Sequence, residues 1–177
     1  MNVIIIRHTT VWNPHNICYG TIDIDLAESF EQEALAIKTY LASHHVEQVY
    51  SSPLGRCMKL AEYCFPHQKI EIDHRIKELN FGAWEGKTWQ ELEPESTIFY
   101  ENFDVSHQFP QGESYHDLLQ RIEDFAASTL FGNSLNTIAI FTHGGPMRAF
   151  ISVIEKITAH ESLQRKIEYG QILEYTI

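Results

Sequence analysis

The sequence predicts an α/β fold, a single-domain three-layer sandwich in which a mostly parallel sheet carries helices on both faces. Three short apolar runs carry this prediction, because each has the length and residue types of a buried strand: residues 3–6, 47–51 and 137–142. Each run leads towards a segment with the apolar periodicity of a helix. Strands that alternate with helices favour parallel pairing. At 177 residues the chain suffices for one such domain, spanning 1–177.

The connection after the first strand is predicted to contain a long loop and a helix. Residues 9–25 are rich in Thr, Asn, Pro and Gly and form the loop, and residues 27–42 form the helix. Its apolar stripe consists of Phe30, Ala34, Ile37 and Leu41. After the second strand, Ser52 before Pro53 has the pattern of an N-cap with proline at the first helical position. The helix that follows turns these residues inward: Leu54, Cys57, Met58, Ala61, Cys64 and Phe65.

The middle of the chain is the least regular part. A short strand near 70–72 leads into an irregular stretch, 73–112, with brief helices expected near 88–93 and 96–103. Long segments that lie over a sheet end are commonly functional loops. We therefore expect this stretch to be a lid or a specificity region.

The last third of the chain returns to regular elements. Ser114 and Asp117 have capping-box-like spacing, and the helix behind them is predicted to run to about residue 131. Its inward-facing residues are Tyr115, Leu118, Leu119, Ile122, Phe125 and Ala126. After the strand at 137–142, Pro146 suits the first turn of another helix. A final strand or hairpin is expected at about 167–177.

Composition limits the classes of function. The net charge of −11 argues against nucleic acid or an anionic membrane as the main partner. No apolar stretch approaches the roughly 20 residues that span a bilayer, and the first apolar run lacks the basic flank of a signal peptide. Three cysteines without a Cys-x-x-Cys pair disfavour a disulfide framework and a zinc site, and suit a reducing cytoplasm. We expect a cytoplasmic protein without a metal or cofactor.

Charged or nucleophilic side chains follow three of the predicted strands. Arg7 and His8 end the first strand, Arg56 follows the second, and His143 follows the strand at 137–142. Ligands of open α/β sheets bind beyond the carboxyl ends of the strands. We therefore expect these four side chains to converge on one pocket. Each alone has an ordinary structural explanation, such as a strand end, a turn cap or a solvated surface arginine, and their shared position favours a site.

These residue types suit phosphoryl transfer. The planar guanidinium groups of Arg7 and Arg56 can each grip two phosphate oxygens, and Arg56 also lies in the first turn of its helix. A neutral His8 can attack phosphorus and hold the group covalently, with His143 as a cationic clamp beside it.

The leaving oxygen also needs an acid, which a carboxyl group in a partly desolvated pocket can supply. Glu78, Glu85 and Glu113 all lie in the irregular region that can cover the site. Reasoning from the residues alone leaves the choice among these three glutamates open.

Four segments together resemble the histidine phosphatases, also called the phosphoglycerate mutase-like superfamily. They are Ile6-Arg7-His8-Thr9, Ser51 to Cys57 (SSPLGRC), Glu78 to Gly86 (ELNFGAWEG) and Thr142 to Arg148 (THGGPMR). The resemblance implies a phosphohistidine mechanism with His8 as the nucleophile. It further implies that Arg7, Arg56 and His143 form the phosphate pocket and that Glu78 is the proton donor.

Within that superfamily the chain looks most like the α-ribazole phosphatases of cobalamin biosynthesis. The similarity rests on the short chain and on residues 17–26 (ICYGTIDIDL). It implies substrate contacts by Tyr19, Gly20 and Gly144, in addition to Arg7 and Arg56. Gly145, where phosphoglycerate mutases usually carry asparagine, also favours a phosphatase.

The chain departs from the family pattern at two places. Thr9 and Thr10 follow the Arg-His pair where the family usually has glycine and glutamate. The carbonyl of Thr9 can still accept a hydrogen bond from Nδ1 of His8 and fix its tautomer. Asn13 lies one residue nearer the pair than the family's loop asparagine, which leaves its contact with phosphate open.

The sequence thus predicts a metal-independent phosphomonoesterase whose partner is a small phosphomonoester, with α-ribazole 5′-phosphate as the expected substrate. The enzymatic alternatives are a broad sugar or small-molecule phosphatase and a phosphoglycerate mutase-like enzyme. The alternative of another class is a catalytically silent, phosphate-binding regulator.

Overall fold

The fold is built on one five-stranded sheet. The computed structural model describes residues 1–132 and 135–177. The strands are β1 (Asn2–Arg7), β2 (Gln48–Ser51), β3 (Ile70–Ile72), β4 (Thr137–Thr142) and β5 (Ile172–Thr176). Their order across the sheet is β3-β2-β4-β1-β5. The first four strands run parallel to their neighbours, and β5 runs antiparallel to β1.

Strand β1 is buried on both faces of the sheet, which explains its unbroken apolar run. Val3 and Ile5 belong to the core on one face, and Ile4 and Ile6 belong to the core on the other. All four side chains are fully buried. Side chains alternate along a strand, so four consecutive apolar residues supply both cores.

Helices cover both faces of the sheet. They are α1 (Phe30–Leu41), α2 (Gly55–Cys64), α3 (Trp89–Glu101), α4 (Tyr115–Thr129), α5 (Gly144–Glu155) and α6 (Ala159–Leu163). Helices α1 and α2 pack together over the face of Ile4 and Ile6, and α4 and α5 pack over the opposite face. The predicted three-layer α/β architecture with a mostly parallel sheet is confirmed.

The predicted start of α2 at Ser52 and Pro53 is wrong. The helix begins at Gly55 and its N-cap position is Leu54. The carboxylate of Asp23, from the loop after β1, accepts the N–H of Gly55 at 2.9 and 3.0 Å. A distant carboxylate thus caps the helix, while the hydroxyl of Ser52 accepts the N–H of Leu54 at 3.3 Å and keeps capacity for a further partner.

The middle region is more regular than the sequence indicated. The two brief helices expected at 88–93 and 96–103 form one helix, α3, with Pro94 inside it. A capping box between Thr88 and Glu91 starts this helix and stabilises its first turn. Pro94 removes one backbone donor without ending the helix.

Other boundaries shift by smaller amounts. Helix α1 begins at Phe30 instead of 27, α4 ends at Thr129, and the 167–177 segment holds the single strand β5 and no hairpin. The short helix α6 was not predicted; a capping box of Thr158 and Glu161 starts it. In the part of the chain that the structure describes, no helix has the length and apolar character needed to cross a membrane.

Candidate active site

The strand order brings the candidate side chains together. Because β1 and β4 are parallel neighbours, with Arg7 opposite Thr142, the residues that follow each strand also meet. The N–H of His8 donates to the Thr142 carbonyl at 3.1 Å, and the rings of His8 and His143 lie 5.2 Å apart. Arg56, from the first turn of α2, reaches the same pocket and contacts His143.

The ring of His8 is fixed with one nitrogen free. Its Nδ1 lies 2.8 Å from the carbonyl oxygen of Thr9, as the sequence led us to expect. A carbonyl can only accept, so Nδ1 carries the proton and Nε2 keeps a lone pair. Nε2 is buried and has no hydrogen-bond partner among the described residues. His8 therefore keeps an unprotonated nitrogen with a free lone pair close to His143 and to the charges of the two arginines.

The surroundings of His8 keep its ring neutral. Burial lowers its pKa well below the usual 6.5, and the positive charges of Arg56 and Arg7 lower it further. The hydrogen bond to Thr9 acts in the opposite direction and does not outweigh them. An imidazole must be neutral to act as a nucleophile, so the pocket favours the reactive form.

The surroundings of His143 also favour its neutral form, and the cationic clamp that we expected beside a bound phosphoryl group stays a prediction. Nε of Arg56 donates to its Nδ1 at 3.3 Å, so its proton lies on Nε2, 2.8 Å from Oγ of Ser52. Burial, followed by the charge of Arg56, holds the pKa of His143 well below the usual range. Ser52, which the sequence suggested as a helix cap, instead fixes the orientation of this histidine.

The two arginines are held by backbone carbonyls. Arg56 donates to Gly20 at 2.6 Å and to Ile22 at 2.9 Å, while Nη1 of Arg7 donates to Ile167 at 2.6 Å. Nε of Arg7 is buried and has no partner in residues 1–132 and 135–177. Anchored guanidinium groups with N–H groups to spare are suited to a bound anion.

Hydrogen bonding separates the three candidate glutamates. The carboxylate of Glu85 accepts from Thr21, Ile22 and Phe81 and ties loops together. The carboxylate of Glu113 accepts from Asn80 and forms an ion pair with Arg121. Oε1 of Glu78 accepts from the N–H groups of Leu79 (3.0 Å) and Gly145 (3.1 Å). Glu78 also lines a cleft with many aromatic residues, so of the three glutamates it is the one placed to meet a ligand.

That cleft is a cavity of about 270 Å³, and its lining includes Arg7 and Gly144, the sequence neighbours of the two histidines. Its charged lining consists of Arg7, Glu78 and Arg148. Its aromatic lining consists of Phe81, Tyr100, Phe103, Phe109 and Tyr115. Most of these rings come from the 73–112 region, so that region does form a wall of the cleft.

The predicted substrate-contacting residues lie around this site in different ways. The ring of Tyr19 lies over the guanidinium of Arg56, at 5.1 Å. Gly20 has φ +34°, and its carbonyl accepts a hydrogen bond from Arg56. Gly144 lies against Arg7: a Cβ added at residue 144 would be 3.5 Å from the guanidinium carbon of Arg7. The side chain of Asn13 both donates to and accepts from the backbone of Ile17, so it is engaged within its own loop.

The sequence analysis missed two residues of the site. Arg148 lies one helical turn after Gly144 on α5, and that i, i+4 spacing could have revealed it. Tyr169 precedes β5, and its ring lies 4.0 Å from the guanidinium of Arg7 and 5.5 Å from the ring of His8. Nothing in the local sequence indicated that this segment returns to β1.

Comparison with known proteins identifies the family of this chain. The model of the histidine phosphatase superfamily (branch 1) matches residues 3–177. The chain is 28% identical to phosphoserine phosphatase 1 of Hydrogenobacter thermophilus over 155 residues, covering 84% of this chain and 74% of that protein. It is 25% identical to a 2,3-bisphosphoglycerate-dependent phosphoglycerate mutase of Chlamydia muridarum over 210 residues, covering 98% and 92%. The fold matches the alpha-ribazole phosphatase from Shigella flexneri with a TM-score of 0.89 at 23% identity, covering 100% and 91%.

Proposed function

The chain belongs to the histidine phosphatase superfamily and is a histidine-dependent phosphatase, and we propose that it hydrolyses small phosphomonoesters through a phosphohistidine on His8. One observation carries this proposal. Nε2 of His8 is buried, unprotonated and without a hydrogen-bond partner among the described residues, which suits a nucleophile. The charges of Arg56 and Arg7 both act on this ring, and their guanidinium groups can bind the oxygens of a phosphoryl group.

In the first step, Nε2 of His8 attacks phosphorus and the bond from phosphorus to the ester oxygen breaks. Arg56 commits three of its five N–H groups to Gly20, Ile22 and His143, and Arg7 commits one to Ile167, counting the hydrogen bonds between described residues. The remaining N–H groups are those that would hold the phosphoryl oxygens and stabilise their charge in the transition state. Glu78, in its protonated form, gives its proton to the departing oxygen.

In the second step, water attacks the phosphohistidine. Glu78, now a carboxylate, takes a proton from that water, and the bond from phosphorus to Nε2 breaks. Inorganic phosphate leaves, and His8 returns to the tautomer that Thr9 fixes. The bound dianion would raise the pKa of neighbouring His143, so this ring can gain a proton while the phosphoryl group is present.

For the substrate we propose α-ribazole 5′-phosphate. The aromatic residues that line the cavity beside Glu78 suit the flat, largely apolar base of this ester. The segment 17–26, which contributes Tyr19 and Gly20 to the site, supports the same assignment. The three free, buried thiols suit a reducing compartment, and we place the reaction in the cytoplasm.

One observation favours a second candidate, a phosphomonoester that also carries a carboxylate, such as phosphoserine. Arg148 lines the cavity, and none of the ion pairs in the described part of the chain involves it. Its only hydrogen bond there is from Nε to the Arg165 carbonyl, at 2.8 Å. The guanidinium end is therefore free to pair with a second anionic group.

The test is phosphate release without added metal from α-ribazole 5′-phosphate, phosphoserine, 3-phosphoglycerate and glucose 6-phosphate. The variants are wild type, His8→Ala, and a matched control, His67→Ala, in an exposed loop between α2 and β3. We expect His8→Ala to be inactive and His67→Ala to match wild type, with α-ribazole 5′-phosphate turned over fastest. Phosphorus NMR of alkali-quenched wild type should show a phosphohistidine that His8→Ala lacks.

The other outcomes identify the alternatives. A preference for phosphoserine supports the second candidate, and similar rates for all esters indicate a broad phosphatase. Transfer of the phosphoryl group between acceptors instead of to water indicates a mutase. A wild-type protein that binds phosphate but releases none from any ester would be a regulator, and the proposed function would be wrong.

A further inference from the structure

Two tyrosines meet across the phosphate pocket. The hydroxyl oxygens of Tyr19 and Tyr169 lie 2.9 Å apart and share a hydrogen bond. Each ring lies over one of the candidate phosphate-binding arginines, Tyr19 over Arg56 at 5.1 Å and Tyr169 over Arg7 at 4.0 Å. The two tyrosines come from opposite ends of the chain, and together they connect the guanidinium groups of Arg7 and Arg56.

The backbone around Tyr169 is tied to the strand that carries the nucleophile. The N–H of Gly170 donates to the His8 carbonyl at 3.0 Å, and the N–H of Arg7 donates to the Gln171 carbonyl at 3.0 Å. Gly170 has φ +67°, which lets the chain turn between these two bonds. The ring of Tyr169 therefore has a fixed position relative to Arg7 and His8.

The position of Tyr19 is also fixed, at the Arg56 side of the pocket. Tyr19 precedes Gly20, whose carbonyl accepts from Arg56 at 2.6 Å, so the loop that carries Tyr19 is itself bound to that arginine. Burial and the bond to Tyr169 raise the pKa of the Tyr19 hydroxyl, which stays protonated as the shared hydrogen bond requires. The Tyr19–Tyr169 hydrogen bond thus completes a continuous series of contacts from Arg7 through both rings to Arg56.

We propose that Tyr19 and Tyr169 act as one positioning unit whose shared hydrogen bond sets the separation of Arg7 and Arg56 around the phosphoryl group. The inference rests on the proposed function, since it assumes that both arginines bind the phosphoryl oxygens. A planar phosphoryl group in transfer needs donors at fixed places more than a ground-state phosphate does. The unit should therefore matter more for the transition state than for the binding of product.

A double-mutant cycle tests this. We would measure the affinities of Tyr19→Phe, Tyr169→Phe and the double variant for vanadate, which mimics the transition state, and for inorganic phosphate. Tyr40→Phe is the matched control, because it removes a hydroxyl that bonds Glu174 on the exposed edge. Thermal unfolding checks that every variant is folded, and kcat and KM are measured for the preferred ester.

We expect each single variant to lose about five- to tenfold in vanadate affinity and in kcat, with phosphate affinity and KM changed less than twofold. The double variant should lose no more than either single variant, because all three remove the same hydrogen bond. Tyr40→Phe should match wild type.

Losses that multiply in the double variant would show two independent tyrosines and overturn the proposal. Equal losses for vanadate and phosphate would also overturn it, because they would indicate a general binding or structural role. Failure of wild type to bind vanadate would remove its basis. If wild type hydrolyses esters but the variants do not show the expected losses of vanadate affinity, the proposed function stands and only this inference is wrong. The expected losses of vanadate affinity can also be observed if no ester is hydrolysed, in which case the proposed function is wrong and the positioning role stands.

Discussion

Gly145 and Glu78 are in direct contact: the N–H of Gly145 donates to Oε1 of Glu78 at 3.1 Å, and an added Cβ on residue 145 would lie 2.4 Å from that oxygen. Residue 145 must therefore be glycine for the Glu78 carboxyl group to keep its position, because any other side chain would collide with it. The position of Gly145 in the first turn of α5 also gives the carboxylate a helix N-terminus to face.

Gly145→Ala should displace the Glu78 carboxyl group from the cleft and reduce kcat by about tenfold or more, since general acid catalysis contributes on the order of 10²–10⁴-fold. The loss should appear in kcat for esters with poor leaving groups and be smaller for p-nitrophenyl phosphate, whose leaving group needs little protonation. Thermal unfolding separates this effect from a loss of fold. Equal losses for both kinds of ester would contradict the assigned role of Glu78.

Ser52→Ala should remove the closest partner of the Nε2–H of His143, leaving only the weaker acceptor Sγ of Cys57 at 3.4 Å among the described residues, and so loosen the ring that Arg56 contacts. We expect kcat/KM to fall about three- to tenfold, as for the loss of one buried hydrogen bond. Ser51→Ala is the matched control, because its buried hydroxyl donates only to the Ser52 carbonyl among the described residues. If both variants lose activity equally, the hydroxyl of Ser52 has no specific effect on His143.

Stability should fall as the solution becomes acidic because His8 and His143 are buried in their neutral forms. The folded-state pKa of each is lowered, by burial first and then by Arg56. Below about pH 6.5 the unfolded chain therefore binds more protons than the folded one, and the free energy of unfolding decreases as pH falls. Each histidine contributes a slope of at most about 1.4 kcal/mol per pH unit.

Urea unfolding of wild type and His8→Gln at pH 7.5 and 5.5 measures this effect. The difference in unfolding free energy between the two pH values should be larger for wild type, because the variant lacks one of the two groups. An equal pH dependence in both proteins would mean that His8 titrates normally in the folded state.

Arg148→Met should separate the two candidate substrates. For a carboxylate-bearing ester such as phosphoserine, loss of a charge-assisted hydrogen bond of about 1.5–3 kcal/mol should raise KM by roughly ten- to hundredfold. For α-ribazole 5′-phosphate, KM should change little. Arg165→Met is the control, since it removes an exposed arginine but keeps the backbone carbonyl that Arg148 contacts. An unchanged KM for every ester would exclude Arg148 from substrate recognition.

The parts of the site that follow parallel strands could be predicted from the sequence. An apolar run that ends in Arg7-His8 and another that ends in His143 indicate adjacent strand ends, and the structure places them side by side. The choice of Glu78 needed either the family resemblance or the hydrogen bonds that occupy Glu85 and Glu113. Local pattern alone cannot show which carboxylates are already bound.

Other features depend on contacts between distant segments. The true cap of α2 is Asp23, which lies 32 residues before Gly55, so the nearer Ser52-Pro53 pair was misleading. Tyr169 joins the site only because β5 pairs antiparallel with β1, and the last predicted strand carried no signal of its partner. Pairing partners of edge strands are set by the whole fold, beyond the reach of periodicity.

The position of β1 between β4 and β5 has a consequence for how the protein folds. Both neighbours of the strand that carries Arg7 and His8 lie more than 130 residues further along the chain, with Val3 opposite Ile138 and Tyr175. Closing such long loops is slow, and the pairing gains stability only once both partners have arrived. The nucleophile therefore acquires its surroundings late in folding, and recovery of phosphatase activity after dilution from denaturant reports the last stage of the process.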